Sequence, residues 1–392
     1  MNYPEYLKEI LNRIELSGHE AFIVGGALRD ALLGRESHDY DVTTSALPLE
    51  IAEIFSDLRV IETGLKHGTV TVVTEGHAIE ITTYRVDGDY KDSRHPDGVR
   101  FTKRIEDDLA RRDFTVNAMA YNDRRGLVDL FFGKSDLENK IIRAVGDPVR
   151  RFDEDALRIM RAFRFSSKLC FEIEENTLSA TEKCREGLLN ISDERKSAEL
   201  QGIMLGAGAE NALLSMHERK IFEVIAPMIS FDTARFSKIS TLPCDFPCRM
   251  AFCLAGQEKT EEYLPTLKLS NAVSSRIKKL ASLSEHPIDL TDDGKLRRLL
   301  SLCGDDLDHL LQIKSALGED VSGLWERAQL IKKRGDCLNI GGLAINGNHL
   351  ARMGITGKKV GEILEKLLDA VLDNPHLNTK EMLTDMAKEL IH

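Results

Sequence analysis

Apolar residues recur at helical spacing over 4–17 (Tyr6, Leu7, Ile10, Leu11, Ile14) and stop at Gly18, which predicts an amphipathic helix. The run AFIVGG at 21–26 reads as a buried strand turning through two glycines into a helix over 27–34. HDYDVT at 38–43 reads as the next strand, and 48–55 as another helix. Strand-like pieces follow at 59–63, 68–74 and 78–83. From 86 to 99 the text VDGDYKDSRHPDGV is turn-forming and polar, a long loop of the kind that is often functional. A return strand is expected over 101–104 and a helix over 105–120. From about residue 150 helical periodicity takes over and convincing strands disappear.

The fold class that follows is α+β: a head with five or so mixed strands and helices, then an all-helical remainder. The expected divisions are a head over 1–140, a neck over 141–205, a body over 206–290 and a tail over 291–392, with the polar stretch at 285–296 as one boundary signal. No internal repeat or low-complexity tract interrupts this pattern.

A chain of 392 residues, 42% hydrophobic and 30% charged, can bury a core without disulfide staples. Its formal charge of −11 weighs mildly against nucleic-acid binding but leaves room for a local basic surface. The seven cysteines show no paired spacing, and Cys244, Cys248 and Cys253 lack CxxC spacing or a nearby His, so reduced thiols and a cytoplasmic location are expected. No signal peptide and no membrane span are expected, since no basic-then-apolar start and no apolar run of about 18 residues occurs.

Asp39 and Asp41 form a D-x-D pair. On a strand both carboxylates point to one side, where a divalent cation relieves their repulsion. Mg2+ suits such a pair, because it takes one or two carboxylates together with substrate phosphate oxygens. Just upstream, Gly25 and Gly26 join a strand to a helix whose first turns carry Arg29. Glycine admits a phosphate close to the backbone, the helix N-terminus favours it, and an arginine adds a charge-assisted contact. A phosphate cradle followed by paired carboxylates is the layout that phosphoryl transfer needs. Separately, the glycines are a tight turn and the aspartates surface residues; together they read as a nucleotide site.

The runs GGALRD at 25–30 and HDYDV at 38–42 resemble the signature of nucleotidyltransferases in the DNA polymerase β superfamily. More narrowly, they resemble the bacterial class II CCA-adding tRNA nucleotidyltransferases and the related bacterial poly(A) polymerases. RRDFTVNAMA at 111–120 is similar to the family's ribose-selecting motif, EDALRIMRAFRF at 154–165 to its base-reading motif, and ISDERKSAEL at 191–200 to the helix-supporting motif that follows. The resemblance covers at least residues 20–205. It implies a polymerase-β-like head and an enzyme that uses CTP, ATP and Mg2+ to add C, C and A to the 3′ end of tRNA without a nucleic-acid template, releasing pyrophosphate.

The residues carry that reading in physical terms. Arg111 and Arg112 can reach a triphosphate or sugar. Asp113 and Asn117, four apart on an expected helix, can read a ribose hydroxyl; a salt-bridged helix start is the plainer alternative. Asp155, Arg158, Arg161 and Arg164 step by three, so the first three share one side of a helix. Asp155 offers acceptors and Arg158 donors, which suits the base edges of cytosine and adenine, and the resemblance implies that this pair replaces a template. Arg161 and Arg164 then hold the site or contact phosphate; a solvated charged face is the alternative. Superfamily members often carry a third carboxylate on a neighbouring strand, for which Glu80 is the best placed, unless it orients Arg85 or supports the fold. Catalysis and metal binding are thus assigned to Asp39 and Asp41, and nucleotide binding to Gly26, Arg29, Arg111, Arg112, Asp113, Asn117, Asp155, Arg158, Arg161 and Arg164.

The helical C-terminal half is expected to hold the tRNA acceptor stem, with Lys332, Lys333, Arg334, Lys358 and Lys359 as candidate contacts and a Gly-turn before a helix N-terminus in 343–368. No His-Asp motif of an appended phosphohydrolase is present. Rival products are a single A, two cytidines or a poly(A) tail, and a rival class is an inactive RNA-binding protein. The intact carboxylates argue against inactivity.

Enzymes of this kind that add only the cytidines have a shortened version of the 86–100 loop, and its length here favours addition of the terminal A. Deleting part of the loop is expected to spare addition of the two cytidines and stop addition of A, read by end extension of tRNA transcripts. Loss or retention of both activities together would contradict this.

Overall fold

The structure, a computed structural model, describes residues 3–37, 39–62, 64–65, 68–87, 99–285 and 292–390. It divides into two compact units: residues 1–240 with 265–269, and residues 241–264 with 270–392.

In the first unit, α1 (Glu5–Leu16) buries Leu7, Ile10, Leu11 and Ile14. Every residue of β1 (Ala21–Val24) is buried, which explains its unbroken apolar text. The chain turns at Gly25, whose φ of 70° is one that glycine adopts without strain, and enters α2 (Gly25–Leu32). Next come β2 (Asp41–Thr44), α3 (Pro48–Ile54), β3 (Arg59–Ile61), β4 (Thr69–Thr74), β5 (His77–Thr83), β6 (Arg85–Asp87) and β7 (Val99–Phe101). They are followed by α4 (Ile105–Ala110), β8 (Met119–Asn122), β9 (Gly126–Asp129), α5 (Gly133–Glu138) and β10 (Ile141–Ile142). The helical part of this unit holds α6 (Pro148–Glu154), α7 (Leu157–Leu169), α8 (Glu175–Lys183), α9 (Asp193–Leu205) and α10 (Ala209–Glu218), with β11 (Glu172–Ile173) between α7 and α8.

The main sheet has seven strands in the order β3-β4-β5-β2-β1-β8-β9. It is mixed: β2 runs parallel to β5, whereas β1 is antiparallel to both β2 and β8. A head core of Phe22, Val24, Tyr84, Ile105, Leu109 and Ala120 packs beneath it. Burying each of its Phe, Val, Ile and Leu side chains contributes about 1.5–3 kcal/mol. Between α9 and α7, Gly206 allows close packing: a Cβ there would lie 2.1 Å from Ser167 Oγ and 2.6 Å from its carbonyl carbon.

Several local expectations are corrected. The strand expected over 38–43 begins only at Asp41, so Asp39 precedes it and strand alternation does not aim the two carboxylates. The helix expected over 105–120 ends at Ala110, because distant partners capture the backbone beyond it. Thr115 N donates to Arg143 O at 2.9 Å, Val145 N donates to Asp113 O at 3.1 Å, and Phe114 bridges Ala144. A short 3-10 turn over Thr115–Asn117 then leads into β8. β8 and β9 raise the sheet from five or so strands to seven.

The helix expected over 154–165 is broken at Asp155, whose backbone is extended (φ −145°, ψ 102°). Its Oδ1 accepts from Leu157 N at 3.0 Å, a local bond that competes with the helix. The 86–99 loop is flanked by the antiparallel pair β6–β7, and its residues 88–98 lie outside the described residues, as do 286–291 of the expected boundary. After residue 150 the two-residue β11, paired with β10, is the one exception to helix in this unit.

Among its described residues the second unit is built of helices joined by turns, with no strand. All nine residues of the helix Phe246–Leu254 are buried. Another cluster joins Leu343, Ile345, Leu350, Ile363, Leu367, Val371 and Leu383. Among the described residues no helix is long and apolar enough to cross a membrane.

Candidate active site

Asp41 opens β2 at the edge of the first turn. Its Cα is in register with Val24 of β1 on one side and with Glu80 of β5 on the other. Gly25 follows Val24, and a Cβ on Gly25 would lie 3.3 Å from Asp41 Oδ2 and 3.7 Å from Arg112 Nη1. Backbone, carboxylate and guanidinium therefore converge where β1 gives way to α2. Burial pushes the Asp41 carboxyl above the usual range; the nearby Glu80 and Asp39 push the same way and Arg112 opposes them. Crowded carboxylates of this kind attract a cation.

Among the described residues no three His, Cys, Asp or Glu side chains form a ready-made metal cluster. The donor set still fits Mg2+, which takes one or two carboxylates and fills its remaining positions with water and phosphate oxygens.

Arg111 and Arg112 share a fully buried carboxylate that sequence reasoning missed. Asp108 Oδ1 accepts from Arg111 Nε at 2.9 Å and Nη2 at 2.7 Å, and Oδ2 accepts from Arg112 Nη2 at 3.2 Å. Burial raises the Asp108 carboxyl, but the two guanidiniums outweigh it and hold it below the usual range. The spacing of three and four residues was a legible signal. Thr43 Oγ1, two residues after Asp41, donates to Asp108 Oδ2 at 3.3 Å. Arg112 Nη1 also reaches Asn117 O at 3.3 Å, while its buried Nε finds no hydrogen-bond partner among the described residues.

Arg29 is turned inward, only 2% exposed. Its Nε donates to Asp30 at 2.9 Å and its Nη1 to Asn117 Oδ1 at 2.8 Å. Its neighbour Gly26 lies at the start of α2, where a Cβ would stand 3.6 Å from Arg29 Nη2. Asn117 Nδ2 in turn donates to Asp113 Oδ1 at 3.3 Å. The two residues expected to meet on a helix thus meet across a turn instead. Asp113 also accepts from Phe114 N at 2.8 Å and from Arg161 Nε at 2.9 Å. Burial raises the Asp113 carboxyl, but Arg161 and the hydrogen bonds win and bring it down to about 2.

Arg164 donates to Glu199 at 2.6 Å, so it is matched to a carboxylate just as Arg161 is. Asp155 and Arg158 do not bond each other through their side chains. Asp155 Oδ2 faces Arg195 Nη2 of the 191–200 segment at 3.4 Å. Arg158, 9% exposed, gives Nη1 to Glu154 at 2.9 Å and to Arg151 O at 3.1 Å, and Nη2 to Arg111 O at 3.2 Å. The break at Asp155 leaves that Arg151 carbonyl without its helical donor, and Arg158 fills the gap. Glu154, Glu199 and Arg195 were given no role from sequence. The i,i+4 spacing signals Glu154, whereas Glu199 and Arg195 reach the site only through the fold.

In the second unit Lys332, Lys333, Lys358 and Lys359 are exposed, and Arg334 is paired with Asp293 at 2.9 Å. Lys358 and Lys359 open the helix Lys358–Asp373, where a cation opposes the helix dipole and an anion would be welcome.

Three family models match this chain: the Poly A polymerase head domain over residues 21–143, the probable RNA and SrmB-binding site of polymerase A over 170–232, and tRNA nucleotidyltransferase domain 2 over 249–387. A CCA-adding enzyme of Pediococcus pentosaceus is 35% identical over 394 residues, covering 98% of each chain. One of Ligilactobacillus salivarius is 36% identical over 411 residues, covering 100% of this chain and 98% of its own. The crystal structure of the Bacillus stearothermophilus CCA-adding enzyme in complex with CTP superposes with a TM-score of 0.82 at 29% identity, covering 100% of this chain and 98% of that one.

The depressed Asp113 carboxyl makes stability depend on pH. Because its folded value of about 2 lies below the ordinary 3.8, the stabilisation is complete above 3.8 and is lost as pH falls toward 2. Asp113→Asn is expected to cost about 3–5 kcal/mol near neutral pH, since it leaves Arg161 half-buried without its anion. Urea unfolding of both proteins should show a gap that is constant from neutral to about pH 5 and narrows below about pH 4. A gap that widens on acidification would contradict the pairing.

Proposed function

We infer the reaction from the family: the chain belongs to the CCA-adding enzymes. It is a nucleotidyltransferase that adds C, C and A to the 3′ end of tRNA from CTP and ATP, without a nucleic-acid template. In each step the terminal hydroxyl oxygen of the tRNA bonds the α-phosphorus of the incoming nucleotide, the bond from that phosphorus to the β-bridging oxygen breaks, and pyrophosphate leaves. A cytoplasmic location suits this reaction and the absence of paired cysteine spacing.

The observation that carries the site assignment is the convergence of Asp41, Glu80, Gly25 and Arg112 at one end of the central strands. The family is divalent-metal dependent, and Mg2+ is the ion we assign. Asp39 and Asp41 would hold it, and it would supply charge neutralisation to the triphosphate and activation to the attacking hydroxyl. Glu80 is a third carboxylate beside them.

The Gly25–Gly26 turn and Arg112 receive the triphosphate, with Arg111 held beside Arg112 by Asp108. Asn117 and Asp113 face the ribose and favour the ribonucleotide. Asp155 and Arg158 read the base: Arg158 has donors on Nε and Nη2 beyond those bound to Glu154, Arg151 and Arg111. Arg29, Arg161 and Arg164 are matched to Asp30, Asp113 and Glu199, so they build the pocket rather than offer bare charge. In the second unit, Lys332, Lys333, Lys358 and Lys359 are assigned to the tRNA backbone.

Purified protein with Mg2+ is to be given tRNA transcripts ending before CCA, after C and after CC, with CTP and ATP separately and together. All three are expected to stop at CCA. Asp41→Asn is expected to lose about a thousandfold or more in kcat while remaining folded. Growth of the CC-ended transcript alone, by one A, would make the chain an A-adding enzyme; long A tails would make it a poly(A) polymerase. An Asp41→Asn variant with full activity would remove the carboxylates from the mechanism.

A further inference from the structure

Three guanidiniums gather around one ring. Phe165, 6% exposed, has the Arg29 guanidinium carbon 5.5 Å from its centroid, that of Arg161 at 5.4 Å and that of Arg164 at 4.5 Å. A fourth neighbour fixes the ring: Phe114 meets it edge-on at 5.7 Å and 76°. Leucine would fill much of the same apolar space, but only an aromatic face attracts cations, and more strongly when water is excluded.

The contacts close a circuit. Arg29 donates to Asn117, Asn117 donates to Asp113, and Asp113 accepts from Arg161. Arg29 and Arg161 then both rest on Phe165. The circuit ties α2, which follows the glycine turn, to the 113–117 turn and to α7, which carries Arg158. Asn117 takes its orientation from both sides, from Arg29 at its oxygen and from Asp113 at its nitrogen.

We propose that Phe165 is a positioning residue for sugar selection: its ring holds Arg29 and Arg161 so that Asn117 and Asp113 present a fixed edge to the ribose hydroxyls. This rests on the assignment of Asn117 and Asp113 to the ribose. Phe165 touches no substrate and acts through the two arginines. Weakening the ring's hold lets Asn117 turn, and a turned amide no longer distinguishes a ribonucleotide from a deoxyribonucleotide.

The test replaces Phe165 with phenylalanines carrying successive ring fluorines. These keep the side chain's shape and drain the negative face that cations sense. kcat and KM are measured for CTP and for dCTP on a tRNA transcript ending before CCA, with melting temperature as a control. The CTP:dCTP ratio of kcat/KM is expected to fall stepwise with fluorination, by on the order of tenfold across the series. Phe165→Met is expected to lower the ratio at least as far, and Phe165→Tyr to hold it near the starting value.

A ratio that stays flat across the fluorinated series, with both nucleotides slowed alike or not at all, would overturn the proposal and leave Phe165 a packing residue. If the unmodified protein fails to extend tRNA with CTP, the reaction assignment itself falls.

Discussion

The active unit depends on one buried carboxylate. Asp113 carries a charge out of water, and the cost is offset because four donors converge on it: the Phe114 amide, the Asn117 amide group and two nitrogens of Arg161. Removing any of them would leave a buried charge short of a partner, which is expensive in a low-dielectric setting. The pair fixes the 111–117 turn against α7, and with it the placement of Arg112 toward Asp41 and of Arg158 toward the Arg111 carbonyl. Electrostatics at Asp113 thus adds to the Phe114–Phe165 packing and the backbone bonds that hold sheet, turn and helix together.

This organisation reconciles an acidic chain with a phosphate-rich substrate. The formal charge of −11 describes the whole surface. Locally, Arg111 and Arg112 share Asp108, Arg158 has Glu154, Arg161 has Asp113 and Arg164 has Glu199. These pairs pre-orient the guanidiniums, and in the proposed nucleotide site that leaves little rotamer entropy to be lost on binding. Among the described residues the buried Nε of Arg112 has no hydrogen-bond partner, and Arg112 lies beside Asp41 and the glycine turn. A pocket built this way gives more directionality than bare positive charge does.

What was legible in the sequence was what local periodicity and local chemistry decide. The apolar face of α1, the buried run of β1, the glycine turn and the strands β4 and β5 all followed from spacing within a few residues. The motif residues stood out in the sequence as a set, and the structure brings Arg29, Asn117, Asp113 and Arg161 together. Their geometry was not, because distant partners set it. Nothing in RRDFTVNA announces that Arg143 and Val145 will pull the segment out of a helix. Nothing near Asp155 announces that its side chain will cap Leu157 and break the helix that an alternation by threes suggested. Asp39 fell outside β2 because the strand begins only at Asp41. Phe165 is one apolar residue among several in EDALRIMRAFRF, and only the fold brings three guanidiniums around it.

The central claim is that the head and α7 act as one coupled unit through the chain from Arg29 to Arg161, two residues that do not bond each other directly. A double-mutant cycle of Arg29→Lys and Arg161→Lys, read in kcat/KM for addition of the first C to tRNA, tests it most directly. Coupling predicts that the loss in the double variant differs from the product of the single losses by on the order of fivefold or more. Losses that multiply to within about twofold would show two independent sites and contradict the account.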